Sequence, residues 1–361
     1  MPRRSRAPGI LGWAWLVTLG AAGGALTQAC SGSHNQLGND DTTSSVTTSG
    51  TGGAGGDATT SSGTGGAGTG GVDAGPPGPT ELTIVNGVAD YDAIRICFVP
   101  YPEGPGGMPW PSTTAGLAFA GARVIDRIDQ VIPSDVDVRP YVLAGDLAET
   151  AGKNCDEILA LNEPALIVAP LAVLPAPVFA SGKSVLLVPT GCLGGPGHTD
   201  PGEVLGCGLN YTEDTPTAGL VALGMSRQTD QGVVSFQVVH ASASMPVVDV
   251  GITPGFDAAP ELKLASALSP GAIDPQPPFA GLNFAALGIL SQVKLKTYDP
   301  GDTYPTSAVL FQSVFANDGL GESDIVNGEG FVLVAVGGHP GVPAGPWWNA
   351  HTYVMVRANP D

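Results

Sequence analysis

The sequence predicts a mainly β protein: two tandem β domains behind a disordered N-terminal linker. Three observations carry that prediction. The first is a repeat. Residues 233–252, VVSFQVVHASASMPVVDVGI, have a weaker copy in residues 82–99, LTIVNGVADYDAIRICFV. Each copy is an apolar run, a short polar break, and a second apolar run with one charge near its middle. Ile84-Val85-Asn86 aligns with Val238-Val239-His240, and Ile94-Arg95-Ile96 with Val248-Asp249-Val250. Two strands joined by a turn, occurring twice, indicate duplicated β units. The second observation is that 53 glycines and 33 prolines make up about a quarter of the 361 residues, a turn-rich composition. The third is that strand-length apolar runs recur between Gly/Pro clusters such as Glu103-Gly104-Pro105-Gly106-Gly107.

Aromatic residues are 6% of the chain and charged residues 13%, so the cores are to be built mainly from Val, Leu, Ile and Ala. The formal net charge is −19. Three arginines and no acidic residue precede Cys30, so cleavage there would take the charge to −22. Phosphate backbones and anionic headgroups would repel such a chain, which excludes nucleic acid as a partner.

The N-terminus reads as an export signal followed by a tether. Residues 1–6 are basic, residues 10–26 are apolar and Gly/Ala-rich, and Thr27-Gln28-Ala29-Cys30 follows. This is the n-region, h-region and small-residue pattern of a secretory signal over residues 1–29. The apolar run is too short and glycine-rich for a good membrane span. A cysteine directly after the h-region resembles the lipobox of bacterial lipoproteins, although Thr27 stands where that family usually has Leu. The resemblance implies that Cys30 is diacylated on sulfur and becomes the mature N-terminus. Residues 30–80 are almost entirely Gly, Thr, Ser, Ala and Asp, closed by Pro76-Pro77-Gly78-Pro79. They lack the apolar content to offset the entropy of ordering. A Gly/Ser-type coil of about 50 residues spans roughly 40 Å. Its expected role is a stalk that holds the folded part away from a membrane. Ser31 rather than Asp after the lipid cysteine favours the outer membrane.

The first domain is expected over residues 81–230. Strands are predicted at residues 82–85, 93–99, 136–142, 165–171 and 184–188, and short helices at residues 116–131 and 155–161. Four cysteines remain once Cys30 is assigned to lipid: Cys97, Cys155, Cys192 and Cys207. In an exported chain these read as two disulfides, with three pairings open. Cys192–Cys207 would clamp the Gly/Pro-rich loop between them, leaving Cys97 to Cys155. None of the four has the CxxC spacing of a zinc site.

The second domain is expected over residues 231–361. His240-Ala241-Ser242 and Val248-Asp249-Val250, with the later run Gly330-Phe331-Val332-Leu333-Val334-Ala335-Val336-Gly337, resemble the bacterial family known as domain of unknown function 4397. Ala243 replaces the proline usual in that family. Residues 82–99 and 184–191 are a fainter version of the same pattern. The resemblance implies immunoglobulin-like β-sandwich modules on envelope proteins and no known catalytic residues. Residues 285–298, 306–315 and 352–357 are predicted as further strands of this domain.

Candidate chemistry is sparse. His240, Ser242 and Asp249 invite a Ser-His-Asp reading, but no G-x-S-x-G elbow accompanies them, and a turn-bonding role fits better. The histidines, His34, His198, His240, His339 and His351, show no metal-ligand spacing, so no metal and no cofactor are assigned. Ser181-Gly182-Lys183-Ser184 resembles the tail of a P-loop, but Pro177 occupies the position of the leading Gly. Asp318, Glu322 and Asp324 crowd one loop as a weak calcium candidate without EF-hand spacing. Trp347 and Trp348 are candidate binding aromatics. Adjacent rings on an extended chain face opposite ways, so one can pack inward while the other stacks on a sugar or a protein partner; the alternative, which is favoured, is that both rings cover a sandwich end.

The function expected from these features is that of a non-catalytic envelope lipoprotein. It would be anchored to a membrane at Cys30 and display β-sandwich modules for binding, adhesion or a structural role toward envelope polysaccharide or protein. The alternative is an exported hydrolase or carbohydrate-active enzyme whose site only the fold would assemble. A solute-binding lipoprotein would require an α/β hinge architecture, against which the β-rich pattern speaks.

Overall fold

The computed structural model describes residues 81–358, apart from residues 126–127, 134, 181, 209, 256–259, 284–286, 289, 317–319 and 347. The signal, Cys30 and the tether therefore lie outside the described residues. The first half contains β1 (Glu81–Val85), β2 (Gly87–Val88), β3 (Ala93–Pro100), β4 (Leu117–Ala118), β5 (Ala122–Ile125), β6 (Val138–Gly145), α1 (Cys155–Leu159), β7 (Leu166–Pro170), β8 (Ser184–Gly191), α2 (Pro201–Cys207) and β9 (Gly219–Met225). The second half contains β10 (Val234–His240), β11 (Val248–Thr253), β12 (Leu262–Leu268), β13 (Ile273–Leu282), β14 (Lys294–Tyr298), β15 (Ser307–Leu310), α3 (Phe311–Ala316), β16 (Gly330–Val336) and β17 (Thr352–Arg357).

The strands form four sheets, and the halves repeat one topology. In the first half β5-β1-β8-β9 makes one sheet, with β2 continuing β1 along β8, and β4-β3-β6-β7 makes the other. In the second half the orders are β13-β10-β16-β17 and β12-β11-β14-β15. The pairs β1·β8 and β10·β16 are parallel, and all other neighbours, β2·β8 apart, are antiparallel. The correspondence extends to single hydrogen bonds. Ala89 N–H donates to Gly191 O at 2.8 Å, and Ala243 N–H to Gly337 O at 3.0 Å. Gly191 and Gly337 adopt φ of 88° and 92°, where an L side chain is strained, so the chain leaves β8 and β16 through a glycine in each half.

Side-chain alternation sorts the core into three layers. Leu82, Ile84, Val185 and Leu187 meet Ile94, Ile96, Val142 and Ala169 between the two sheets of the first half. Phe236, Val238, Phe331, Leu333 and Tyr353 meet Val248, Val250, Leu264 and Leu295 in the second. The opposite faces of the two central sheets meet each other through Val85, Leu186, Val188 and Val221 on one side, and Val239, Val332, Val334, Val354 and Val356 on the other. The described residues are therefore four stacked sheets in one compact unit. This arrangement explains why β10 and β16 are buried at every residue, whereas the outer β14 alternates.

Three predicted elements are corrected. Of residues 285–298, only Lys294–Tyr298 is described as strand, a 3-10 turn at Leu290–Gln292 precedes it, and residues 285, 286 and 289 lie outside the described residues. Among the described residues of 116–131 no α-helix forms, and the helical part is one 3-10 turn at Ile128–Gln130. Gly116 and Ala120 take φ of 70° and 54°, β5 pairs with β1, and Asp126 and Arg127 lie outside the described residues. Residues 306–315 are strand only through Leu310. The chain then turns into α3, which buries Phe311, Val314 and Phe315 in the second-half core. Of the predicted helix at residues 155–161, α1 forms. Asn154 caps it, exchanging side-chain bonds with Glu157 in a capping box.

Candidate functional site

The most concentrated chemistry lies at the end of the first repeat, where the turn after β2 meets the loop after β8. The disulfide Cys192–Cys207, with Cα atoms 5.7 Å apart, ties the start of that loop to the end of α2. Within the loop, Gly194 has φ of 70°, and a Cβ there would sit 2.5 Å from the Glu213 carbonyl oxygen. Only glycine lets the chain pass. α2 begins with Asp200 accepting from Gly202 N–H at 2.7 Å and Pro201 in its first turn, which places Glu203 on the inner side.

These elements bring Asp90, His198 and Glu203 together, with ligand atoms within 4.8 Å of one another and all three side chains buried. His198 Nδ1 meets Glu203 Oε1 at 2.5 Å and Asp90 Oδ2 at 3.8 Å. Tyr211 donates its hydroxyl to Glu203 Oε1 at 2.9 Å. Asp90 accepts from Leu193 N–H at 2.9 Å and Gly194 N–H at 2.7 Å. Burial pushes the Asp90 carboxyl up to about 6, while those two amides and His198 pull it back down. Burial also raises the hydroxyls of Tyr91 and Tyr211 above their ordinary range. The Tyr91 ring stacks on His198 with centroids 5.0 Å apart and donates its hydroxyl to Gly194 O at 2.6 Å. It also lines a shallow cleft of about 350 Å³ with Asp92, Ala93, Thr114 and Gly145. Glu203 Oε2 is buried and finds no hydrogen-bond partner. One imidazole and two carboxylates are the donor set of a divalent-cation site, and this is the group among the described residues that could hold one.

Sequence reasoning missed this cluster because Asp90 lies more than 100 positions before His198 and Glu203, and His198 has no paired-ligand spacing. The signals that were present are Asp90 in the polar break after the first repeat strand and His198 inside the cysteine-clamped loop.

The residues singled out from the sequence are placed as follows. Cys97 pairs with Cys155 and Cys192 with Cys207. His240 Nε2–H donates to Met245 O at 3.1 Å, and Nδ1 accepts from Ser242 N–H at 3.4 Å. Ser242 Oγ lies 2.9 Å from Gly338 O, and Asp249 accepts from Ala267 N–H at 2.6 Å and from Lys263 at 3.0 Å. These three form no Ser-His-Asp relay. Burial pushes the His240 imidazole down to about 4, against the pull of the Met245 carbonyl, which keeps it a neutral turn-former. In the acidic loop Asp318 lies outside the described residues and Glu322 is exposed. Asp324 accepts from Gly321 N–H at 2.7 Å and pairs with Arg357 at 3.2 Å. Trp347 lies outside the described residues. Trp348 is 9% exposed, donates Nε1–H to Pro343 O at 2.8 Å, and packs on Gly202 and Gly206 of α2. Its ring is covered by its own chain. No helix among the described residues is long and apolar enough to cross a membrane.

A scan against protein-family models finds no match for this chain, and a search of the curated proteins finds none.

Proposed function

We propose that this protein is a non-catalytic lipoprotein of the bacterial envelope that displays a β body on a long stalk. Export and acylation at Cys30 would place it on a membrane, with the outer membrane favoured by Ser31. Residues 31–80 would space the body from the lipid surface, and the body would serve binding, adhesion or structure toward envelope polysaccharide or protein. The observation that carries this reading is the cysteine arithmetic. Of five cysteines, four are closed in two disulfides inside the β body, as an oxidising compartment permits, and the fifth is Cys30 at the end of a signal-like segment. The resemblance of the repeat to immunoglobulin-like envelope modules agrees with it. So does the engagement of His240, Ser242 and Asp249 in turn and strand bonds rather than in a relay.

Intact mass and membrane fractionation of the native protein beside Cys30→Ala test the proposal. The expected result is a diacylglycerol-sized mass increment on a chain that starts at Cys30, with both the increment and detergent-phase partitioning lost in the variant. A water-soluble chain cut elsewhere, with Cys30 unmodified, would overturn the anchor.

A further inference from the structure

We infer that Asp90, His198 and Glu203 form a binding site for one divalent transition-metal ion, zinc foremost. Two carboxylates are buried side by side, and the basic group in contact with them is His198. Buried charge of one sign is costly unless it is paired. Two carboxylates and a neutral imidazole together balance a doubly charged cation, with no charge left over. The imidazole would bind the metal through Nδ1 with its single proton held on Nε2, so it stays neutral and no proton is left over.

A hydrogen-bonded cluster without metal accounts for His198 Nδ1 and Glu203 Oε1 through their 2.5 Å contact. It leaves Glu203 Oε2 wholly buried with no partner, on a residue that is 0% exposed. A metal ion gives that carboxylate a second interaction. The supporting groups a metal site needs are also present. Tyr211 orients Glu203, and the Leu193 and Gly194 amides orient Asp90. The Cys192–Cys207 bridge fixes the loop and α2 that carry two of the three ligands. The imidazole among the donors selects zinc-like ions over calcium, which takes oxygen ligands. Entry would be past Tyr91, which stacks on His198 and lines the neighbouring surface cleft.

The test uses the full chain in detergent, stripped with chelator and titrated with ZnCl₂ by calorimetry and thermal melting, with bound metal counted by elemental analysis. One zinc per chain is expected, with the melting temperature raised by roughly 5 °C at about a hundredfold excess over Kd. Glu203→Gln, which keeps the side chain's size, should lose about 100-fold or more in affinity, and Tyr211→Phe about 10-fold. Glu322→Gln in the exposed acidic loop should change neither. If Glu203→Gln fails to fold, Co²⁺ added to the wild-type protein still decides the matter. Visible bands of a nitrogen- and oxygen-ligated ion that one equivalent of zinc abolishes would support the site, and their absence would refute it. No retained zinc and no thermal shift, equal affinity in Glu203→Gln and wild type, or a preference for Ca²⁺ over Zn²⁺ would each overturn the proposal.

Discussion

His240 and Asn86 occupy equivalent positions at the ends of β10 and β1 and carry out related tasks with different chemistry. Asn86 accepts the Val88 amide on Oδ1 at 3.0 Å and donates Nδ2–H to Leu117 O at 2.9 Å. His240 accepts the amide two residues on with Nδ1 and donates from Nε2 to Met245 O. The alignment of Asn with His was legible from the repeat, and the physical reason is that each offers one acceptor and one donor to a buried turn. The paired charges of the repeat diverged instead. Arg95 is 1% exposed and donates to the carbonyls of Pro109, Pro111 and Ser112 and to Thr150, so it staples a loop, while Asp249 sits on the outer sheet with Lys263. Nothing in the one-letter pattern distinguishes those roles. His240→Ala should cost about 1–3 kcal/mol by stranding two buried backbone groups, and His240→Asn less, as denaturant midpoints would report. The pH dependence follows from the same burial. The His240 imidazole titrates at about 4 and that of His351, pushed down by burial and by His240 and His339, at about 3, both below the ordinary 6.5. The stability these neutral rings contribute is present above pH 6.5 and lost as the pH falls toward 4 and 3. Asp90 acts in the opposite sense, its burial costing stability above about pH 6 and relieving that cost below it. Two imidazoles outweigh one carboxyl, so the protein should be less stable at pH 4.5 than at pH 7, with a flatter profile in His240→Asn. An unchanged profile in that variant would rule out His240 as a source.

At the scale of elements, the strands readable from sequence were those with continuous or near-continuous apolar runs. β16 and β17 match their predicted residues closely because one is buried on both faces and the other over its four inner residues. β13 was not readable. It carries Pro275, Pro277 and Pro278, which cannot donate to a ladder, and it is tolerated because it is an edge strand with a shifted register against β10. α2 was hidden for a different reason. Its seven residues include two glycines and a proline, and tertiary anchors hold it: the bridge at Cys207, the Asp200 cap and the Trp348 ring. Those anchors make the element sensitive to its disulfide. Replacing Cys192 and Cys207 by serine should cost about 3 kcal/mol for a loop of 15 residues. Amide exchange over residues 198–207 should accelerate more than elsewhere, because α2 has few backbone bonds of its own. Uniform acceleration across the protein would mean that the bridge acts only on the unfolded chain.

For the whole molecule, the repeat was legible in the sequence but the way its copies join was not. Periodicity shows which residues of a strand share a face, and it cannot show that the second face of one sheet covers the second face of another. Thr83, Ser235 and Gln237 interrupt the apolar pattern on the shared faces, yet all three are buried. Gln237 is accommodated because its side chain bonds Ser226 N–H at 2.9 Å and Pro275 O at 3.1 Å. Asn349 from the second half bonds the Ala89 carbonyl, and His339 N–H donates to Gly206 O at 3.0 Å, so polar contacts reinforce the central layer. Through that layer the two sandwich copies are joined into one compact body, which should unfold cooperatively. Scanning calorimetry of the full chain beside Leu186→Ala, which opens the central layer at a fully buried position, tests it most directly. One unfolding transition is expected in both proteins, with stability lowered in the variant by about 2–5 kcal/mol. Two resolved transitions, with only the first-half one shifted by Leu186→Ala, would contradict it.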